Sequence, residues 1–579
     1  MYRHVGIRES CLAALVMKVD QTQLQLSLEL SRMKRVNTRV EKDSMGEMRV
    51  PANALYGAST QRALENFPIS DLRLPPEFVI SLALIKLCAA EVNSELGLLT
   101  RSKARAISRA AREIVKGQWS DQFPVDVFQT GSGTSTNVNM NEVLARRARL
   151  ILRADPDDRD YLHPNDAVNL CQSSNDVIPT AMHLSALEMI LNELLPALSK
   201  LEAALLDKAD EFNSLVKSGR THHQDATPIT LGQEFSGYAA QIESARAAIK
   251  QSAEGLRSLA IGGTAVGTGV NSAEGFGKLM AEKLSRELGF EVVESPNHFR
   301  SQASIDDVVN VSGSLRMLAL ALIKMINDLR WMSSGPSDGL GEIRLPSVQP
   351  GSSIMPGKVN PVILESAHMV AIHVLGLDSG IAFAGQSGNF ELNTTLPLVA
   401  HNLLQAIKLL ARSAENVAEK CILGIEAKPD GLKGVHSNNA LVTALAPVLG
   451  YDKAALIAKS VVESGDTVLA VAERETDIPA SELQALLNPL SLTKAGNISR
   501  KQVKKRRKEP GMKKERKRGF RVGDRVEILG YKTAISWGDR KPQCYGFIVN
   551  IDGAYIQVRP RWWPEGDVIE RYPNELKAA

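Results

Sequence analysis

At 579 residues the chain exceeds what one core fills, so three or four domains are expected. Its 44% hydrophobic and 23% charged residues exclude a disordered or collagenous chain and suit a soluble globular protein. Five scattered cysteines (Cys11, Cys88, Cys171, Cys421, Cys544) with no CxxC exclude a disulfide framework and a zinc or iron–sulfur centre, and fit a reducing, cytoplasmic compartment. Residues 500–518 hold twelve Lys/Arg against two acids, an excess of ten within a net charge of +4. The rest therefore carries −6 and offers no nucleic-acid face.

Residues 1–38 mix basic and short apolar runs, and Glu9, Asp20 and Glu29 fit neither a signal nor a transit peptide. They read as a disordered extension, or as the result of a start placed ahead of Met33. Helical patterning begins at Phe78 and runs to Glu95, and a second helix spans 102–117. Gln129–Leu144 (QTGSGTSTNVNMNEVL) then runs a Gly/Ser/Thr turn into a periodic apolar stretch. Free backbone N–H groups and a positive dipole end at such a helix start favour an anion, although the same pattern taken alone is an ordinary cap. HPND (163–166) and CQSSNDVIPTAMH (171–183) follow, the second repeating small polar residues before a helix. GRTHHQDATPITLGQE repeats the theme, with Arg220, Thr221 and His222 set ahead of a further helix.

Between these clusters the apolar residues step by three and four. Leu184, Leu187, Leu191, Leu194, Leu198, Leu201 and Leu205 do so, as do Val308 to Met332, Ile363 to Ile381 and Ala400 to Cys421. Several such seams predict a bundle of long helices, and apolar residues outside a single stripe predict bundles packing into an oligomer. No uncharged run reaches membrane-spanning length, so no membrane partner is expected. Shorter helices over 438–449, 452–464 and 481–489 suggest a compact unit ending near Gly496. Residues 497–518 read as a basic linker. Alternating β-branched and aromatic residues from 519 to 579, with Asp552-Gly553 at a turn, predict a small β-barrel. Linker and barrel together could make weak contact with nucleic acid.

GSSIMPGKVNP (351–361) is a loop by its Gly and Pro content. Its small residues let amides approach an anion, Lys358 adds charge, and Ser352, Ser353 and Asn360 add polar groups. The polar clusters have no metal-ligand spacing, and IGGTAVGTG (261–269) fits neither GxGxxG nor a P-loop, so no metal or nucleotide cofactor is expected. Anion binders of this kind suit removal of a proton beside a carboxylate, because the dianionic intermediate needs preorganised positive dipoles.

From about Thr38 to Gly496 the chain resembles the class II fumarate hydratases of the aspartase/fumarase superfamily. GSSIMPGKVNP, QTGSGT, HPND, SSNDVIPTAMH, GRTHHQDATP and GGTAVGTG carry the likeness in order. The resemblance implies a mainly α, three-domain fold (39–170, 171–423 and 424–496) with a central long-helix bundle. It implies a homotetramer whose active sites draw on three subunits, and fumarate and malate as substrates. By the same resemblance Ser352 is the base that takes the C3 proton, His222 with a water is its acid/base partner, and Glu365 orients His222. Ser132, Gly133, Thr134, Ser173, Ser174, Asn175, Thr221, Ser353, Lys358 and Asn360 hold the substrate. His222 and Gly357 favour fumarase over aspartase, the alternative. Two positions depart from the family: His223 stands where Leu is usual, and Asp160 stands where an Arg serves a second dicarboxylate site at His163, Pro164, Asn165 and Asp166, which puts that site in doubt.

Overall fold

The computed structural model describes residues 37–335 and 337–496, together with the strands of the C-terminal region. The N-terminal extension and the basic linker, apart from residues 37 and 38, lie outside the described residues.

The described residues open with a hairpin of β1 (Thr38–Asp43) and β2 (Gly46–Pro51), and then α1 (Ala58–Asn66). Helices α2 (Pro76–Glu95) and α3 (Arg101–Val115) pack against each other, and α4 (Thr134–Ile151) lies on α3. Pro76 at the start of α2 suits its missing N–H.

The Leu-stepped run from 184 is predicted as one helix, but the structure divides it. Helix α5 (Ser174–Met189) passes through a π turn at Ile190–Leu194 into α6 (Leu195–Glu211). Pro196 has no N–H for the regular ladder, which explains a break at this point. The seam continues across it: Leu184, Leu187, Leu194, Leu198, Leu201 and Leu205 are all fully buried.

Helix α6 packs on α7 (Leu231–Ala253), α7 on α9 (Asp306–Met332), and α9 on α10 (Val362–Gly385). Helix α10 packs on α11 (Leu396–Lys420), which returns to α6 and closes a five-helix bundle. α8 (Phe276–Leu288) lies against α2. In α9, Val308, Val311, Leu315, Leu318, Leu322, Met325, Leu329 and Met332 are buried, as the three-and-four stepping predicts. Helices α9 and α10 also have the length and mean hydropathy (1.4 each) of a membrane span. Their second apolar stripe explains this, since Leu320, Met369, Ile372 and Phe383 face outward, at 53, 66, 53 and 72% exposure.

Helices α12 (Tyr451–Ser464), α13 (Val468–Glu475) and α14 (Ala480–Leu486) complete this part. Cys88, Cys171 and Cys421 are buried and unbonded.

The C-terminal region is a separate unit. Its strands β5 (Arg525–Ile528), β6 (Tyr545–Asp552), β7 (Tyr555–Pro560), β8 (Ile569–Arg571) and β9 (Leu576–Ala578) form an antiparallel sheet in the order β8-β7-β6-β5-β9. Asp552 pairs with Tyr555, so the hairpin read from Asp552-Gly553 is present. Among the described residues the strands form an open order, and none pairs β8 with β9 to close a barrel.

Candidate active site

Apart from the second site at residues 163–166, the predicted site residues fall into three groups. Hydrogen bonds link residues within groups, and among the described residues no hydrogen bond or ion pair joins one group to another.

The first group sits where α4 and α5 begin. Gly131 lies so close to the Thr394 carbonyl that a Cβ would come within 1.9 Å of its oxygen. Gly133 has φ 73° and rests against Ile178. These two glycines bring the helix starts together, and the Ser132, Thr134 and Ser174 hydroxyls form a chain with steps of 2.7 and 2.8 Å. Ser173 caps α5, its Oγ accepting from Asn175 N at 3.2 Å, while Asn175 Nδ2 donates to the Ala265 carbonyl at 2.7 Å. Two adjacent N-termini and a row of hydroxyls make an anion seat.

Asp176, absent from the sequence-derived set, organises this seat. Its carboxylate accepts from the backbone N–H groups of Ser173 (2.9 Å), Gly262 (3.2 Å) and Thr264 (2.9 Å). The Gly-rich loop 261–269, which has no nucleotide signature, is therefore a wall tied to the start of α5. The S-x-x-D spacing of Ser173 and Asp176 is a capping-box signal that points to this residue in the sequence. Burial pushes the Asp176 carboxyl up to about 6, opposed by the three N–H bonds and by Lys86.

Lys86 is itself fully buried on α2 and donates to Asn169 Oδ1 (2.8 Å) and Gln172 Oε1 (3.1 Å). Burial lowers its ammonium from 10.5 to about 7, and the charge of Asp176 acts the other way. Between those values the unfolded chain binds the extra proton. Stability from this group therefore rises with pH, by at most about 1.4 kcal/mol per unit. Lys86→Met is expected to remove that rise, read as denaturant midpoints of both proteins at about pH 7.5 and 9.5. Parallel wild-type and variant curves would mean that Lys86 stays charged.

The second group corrects the sequence reading. Thr221 and His222 do not precede a helix; they lie in a hairpin of β3 (Val216–Thr221) and β4 (Gln224–Thr230). The next helix, α7, has its own capping box of Thr230 and Gln233. Thr221 pairs with Gln224, so His222 and His223 are the two turn residues, with φ of 56° and 58°. Such a turn favours Asn-Gly, and histidine in both places costs on the order of 1–3 kcal/mol each. The His223 ring meets Trp331 edge-on at 6.2 Å.

The base of the hairpin is anchored by charge. Lys217 Nζ lies 2.6 Å from Glu234 and 2.7 Å from Glu342, and Arg220 donates to Glu342 at 2.8 Å.

The third group is the 351–361 loop with the start of α10. Gly351 N donates to the Lys358 carbonyl at 2.9 Å and Asn360 Nδ2 to the Gly351 carbonyl at 2.6 Å, which closes the loop at its base. Ser352 Oγ accepts from the backbone N–H groups of Ile354 (3.2 Å) and Met355 (2.9 Å). Two N–H dipoles aimed at one hydroxyl oxygen favour negative charge on it, an arrangement that was not legible in the sequence. Ser353 and Lys358 are exposed, and Gly357 takes φ 82° at the bend. Glu365 lies in the first turn of α10, half-buried.

HPND caps a turn. His163 Nδ1 accepts from Asn165 N (3.2 Å) and Asp166 N (3.4 Å) at the head of a π turn spanning Pro164–Val168. The same Nδ1 lies 3.3 Å from Asp166 Oδ2. Asp160 is exposed, and the neighbouring Arg159 guanidinium donates to the Lys42 carbonyl.

A lyase family model matches residues 46–376, and a fumarase C C-terminal model matches 441–494. The chain is 49% identical over 459 residues to a class II fumarate hydratase of Xylella fastidiosa, covering 79% of this chain and 96% of that one. It is 49% identical over 434 residues to one of Mycobacterium tuberculosis, covering 75% and 90%. Among solved structures, a recombinant class II fumarase from Schistosoma mansoni aligns with TM-score 0.78 at 37% identity, over 79% of this chain and 99% of that one. A fumarate lyase:delta crystallin from Brucella melitensis aligns with TM-score 0.76 at 45% identity and the same coverage. A mainly helical bundle, two anion-receiving helix starts and kinship at this level converge: the chain belongs to the class II fumarate hydratase family.

Proposed function

We propose that the chain catalyses the reversible, stereospecific hydration of fumarate to (S)-malate, a step of the tricarboxylic acid cycle. Its 49% identity to fumarate hydratases over 459 residues carries this reading. In the dehydration direction, Ser352 takes a proton from C3 and leaves a carbanion delocalised into the adjacent carboxylate. His222, acting through a water and oriented by Glu365, then protonates the departing hydroxyl at C2, and water and fumarate result. The seat of Ser132, Gly133, Thr134, Ser173, Ser174 and Asn175, with Thr221, Ser353, Lys358 and Asn360, holds the substrate carboxylates. No amine chemistry is needed, only a preorganised field for the dianion.

No hydrogen bond or ion pair joins the three groups among the described residues, which supports a site shared between subunits of a homotetramer. The outward apolar residues of α9 and α10 supply the surface for it. Three buried, unbonded cysteines accord with a cytoplasmic location. The test compares fumarate formation from malate with ammonia release from aspartate, and includes the sedimentation mass of the same preparation. Malate turnover by a particle of four chains is expected. Ammonia release without malate turnover would make the enzyme an aspartase, and a monomeric mass would remove the shared site.

A further inference from the structure

Between the end of α2, the outer face of α3 and helix α8 lies an open cavity of about 540 Å³. Arg101, Arg105 and Arg109 line it at successive i, i+4 positions of α3, all exposed. The acids nearby are already engaged. Glu91 and Glu95 hold Lys283 at 2.8 and 3.0 Å, Glu287 holds Arg112 at 3.2 Å, and Glu113 holds Arg147 at 2.6 Å. Arg101, Arg105 and Arg109 make no hydrogen bond or ion pair among the described residues.

This arrangement costs the fold stability in two ways. Like charges at i, i+4 repel along a helix. Positive charge in the first turn opposes the helix dipole, and α3 has no acid there and no side-chain cap from Thr100. Both costs disappear if an anion lies along the arginines. An independent observation points the same way: Ser108, 6% exposed and lining the same cavity, has a buried Oγ without a hydrogen-bond partner.

We propose that this cavity binds a small linear polyanion, a chain of linked phosphates either free or carried on a nucleoside. Three guanidiniums spaced by about 6 Å of helix rise each suit a run of several charges better than one compact anion. The planar guanidinium fork matches phosphate oxygens in pairs. The site stands apart from the substrate seat in its residues and shares none with the reaction.

The test is calorimetric titration of the full chain with inorganic tripolyphosphate and, separately, with a nucleoside triphosphate. Binding of both, or of tripolyphosphate alone, assigns the phosphate chain as the recognised part; binding of the nucleotide alone assigns the nucleotide as the source. Arg105→Ala/Arg109→Ala is expected to weaken binding by about tenfold or more. Arg105→Lys/Arg109→Lys, which keeps the charges, is expected to retain part of it. Lys358→Ala, which alters the substrate loop, is expected to leave it in place. No binding of either probe at millimolar concentration overturns the proposal. So does wild-type binding by the double alanine variant, or loss of binding in Lys358→Ala, since either places the anion elsewhere.

Discussion

Ser352→Ala is expected to lower the turnover of malate by about 10²–10⁴-fold, the range associated with removal of a positioned base. The expected change lies in kcat, with KM near wild type, because Ser353, Lys358 and Asn360, the residues proposed to hold the carboxylates, remain. Ser352 also accepts N–H bonds from Ile354 and Met355, so alanine frees two amides within the loop. The loop stays closed at its base through the Gly351–Lys358 and Asn360–Gly351 bonds, which do not involve the Ser352 side chain. A loss caused by loosening alone would raise KM along with lowering kcat. Following fumarate absorbance from malate separates the two, and near-normal turnover in the variant would take Ser352 out of the mechanism.

Lys217→Met is expected to destabilise the protein by about 3–5 kcal/mol, the cost of stranding buried charge. The Lys217 side chain is 1% exposed and Glu342 2%, so water cannot replace the lost cation at Glu342, whereas Glu234 is 22% exposed. Glu342 would keep Arg220, but Glu234 would lose the cation that holds it at 2.6 Å. Arg220 lies in β3, one residue before Thr221, so loosening its partner also loosens the strained turn that carries His222. The expected result is a lower denaturant midpoint together with reduced turnover. Adding Glu234→Gln to Lys217→Met should recover part of the stability, since it removes the stranded charge. An unchanged midpoint in the single variant would show that the pair is not needed for stability.

Much of the scaffold was legible because helix burial is periodic. The stepping of Val308 to Met332 and of Ala400 to Cys421 predicts their buried faces residue by residue. The start of α5 was equally readable, since Ser173 and Asp176 sit at capping-box spacing. The His222 hairpin was not. Its turn is His-His, which lacks the Asn-Gly chemistry that announces two positive φ angles, and Thr-Pro-Ile-Thr in β4 gives too short a run to identify a strand. The π turn at 190–194 was hidden because the leucine spacing continues through it.

By itself, then, the sequence determined the family, the bundle and the residue types a dicarboxylate site needs, because periodicity, caps and contiguous motifs are local properties. Only the tertiary structure decided how distant segments meet. It tied Asp176 to the 261–269 loop, set Lys217 between Glu234 and Glu342, aimed two loop amides at Ser352, and left three arginines beside Ser108 with no hydrogen bond or ion pair among the described residues. Each of these depends on contacts between groups far apart in the chain or on backbone direction within a loop, and neither is encoded in the spacing of residues along one segment.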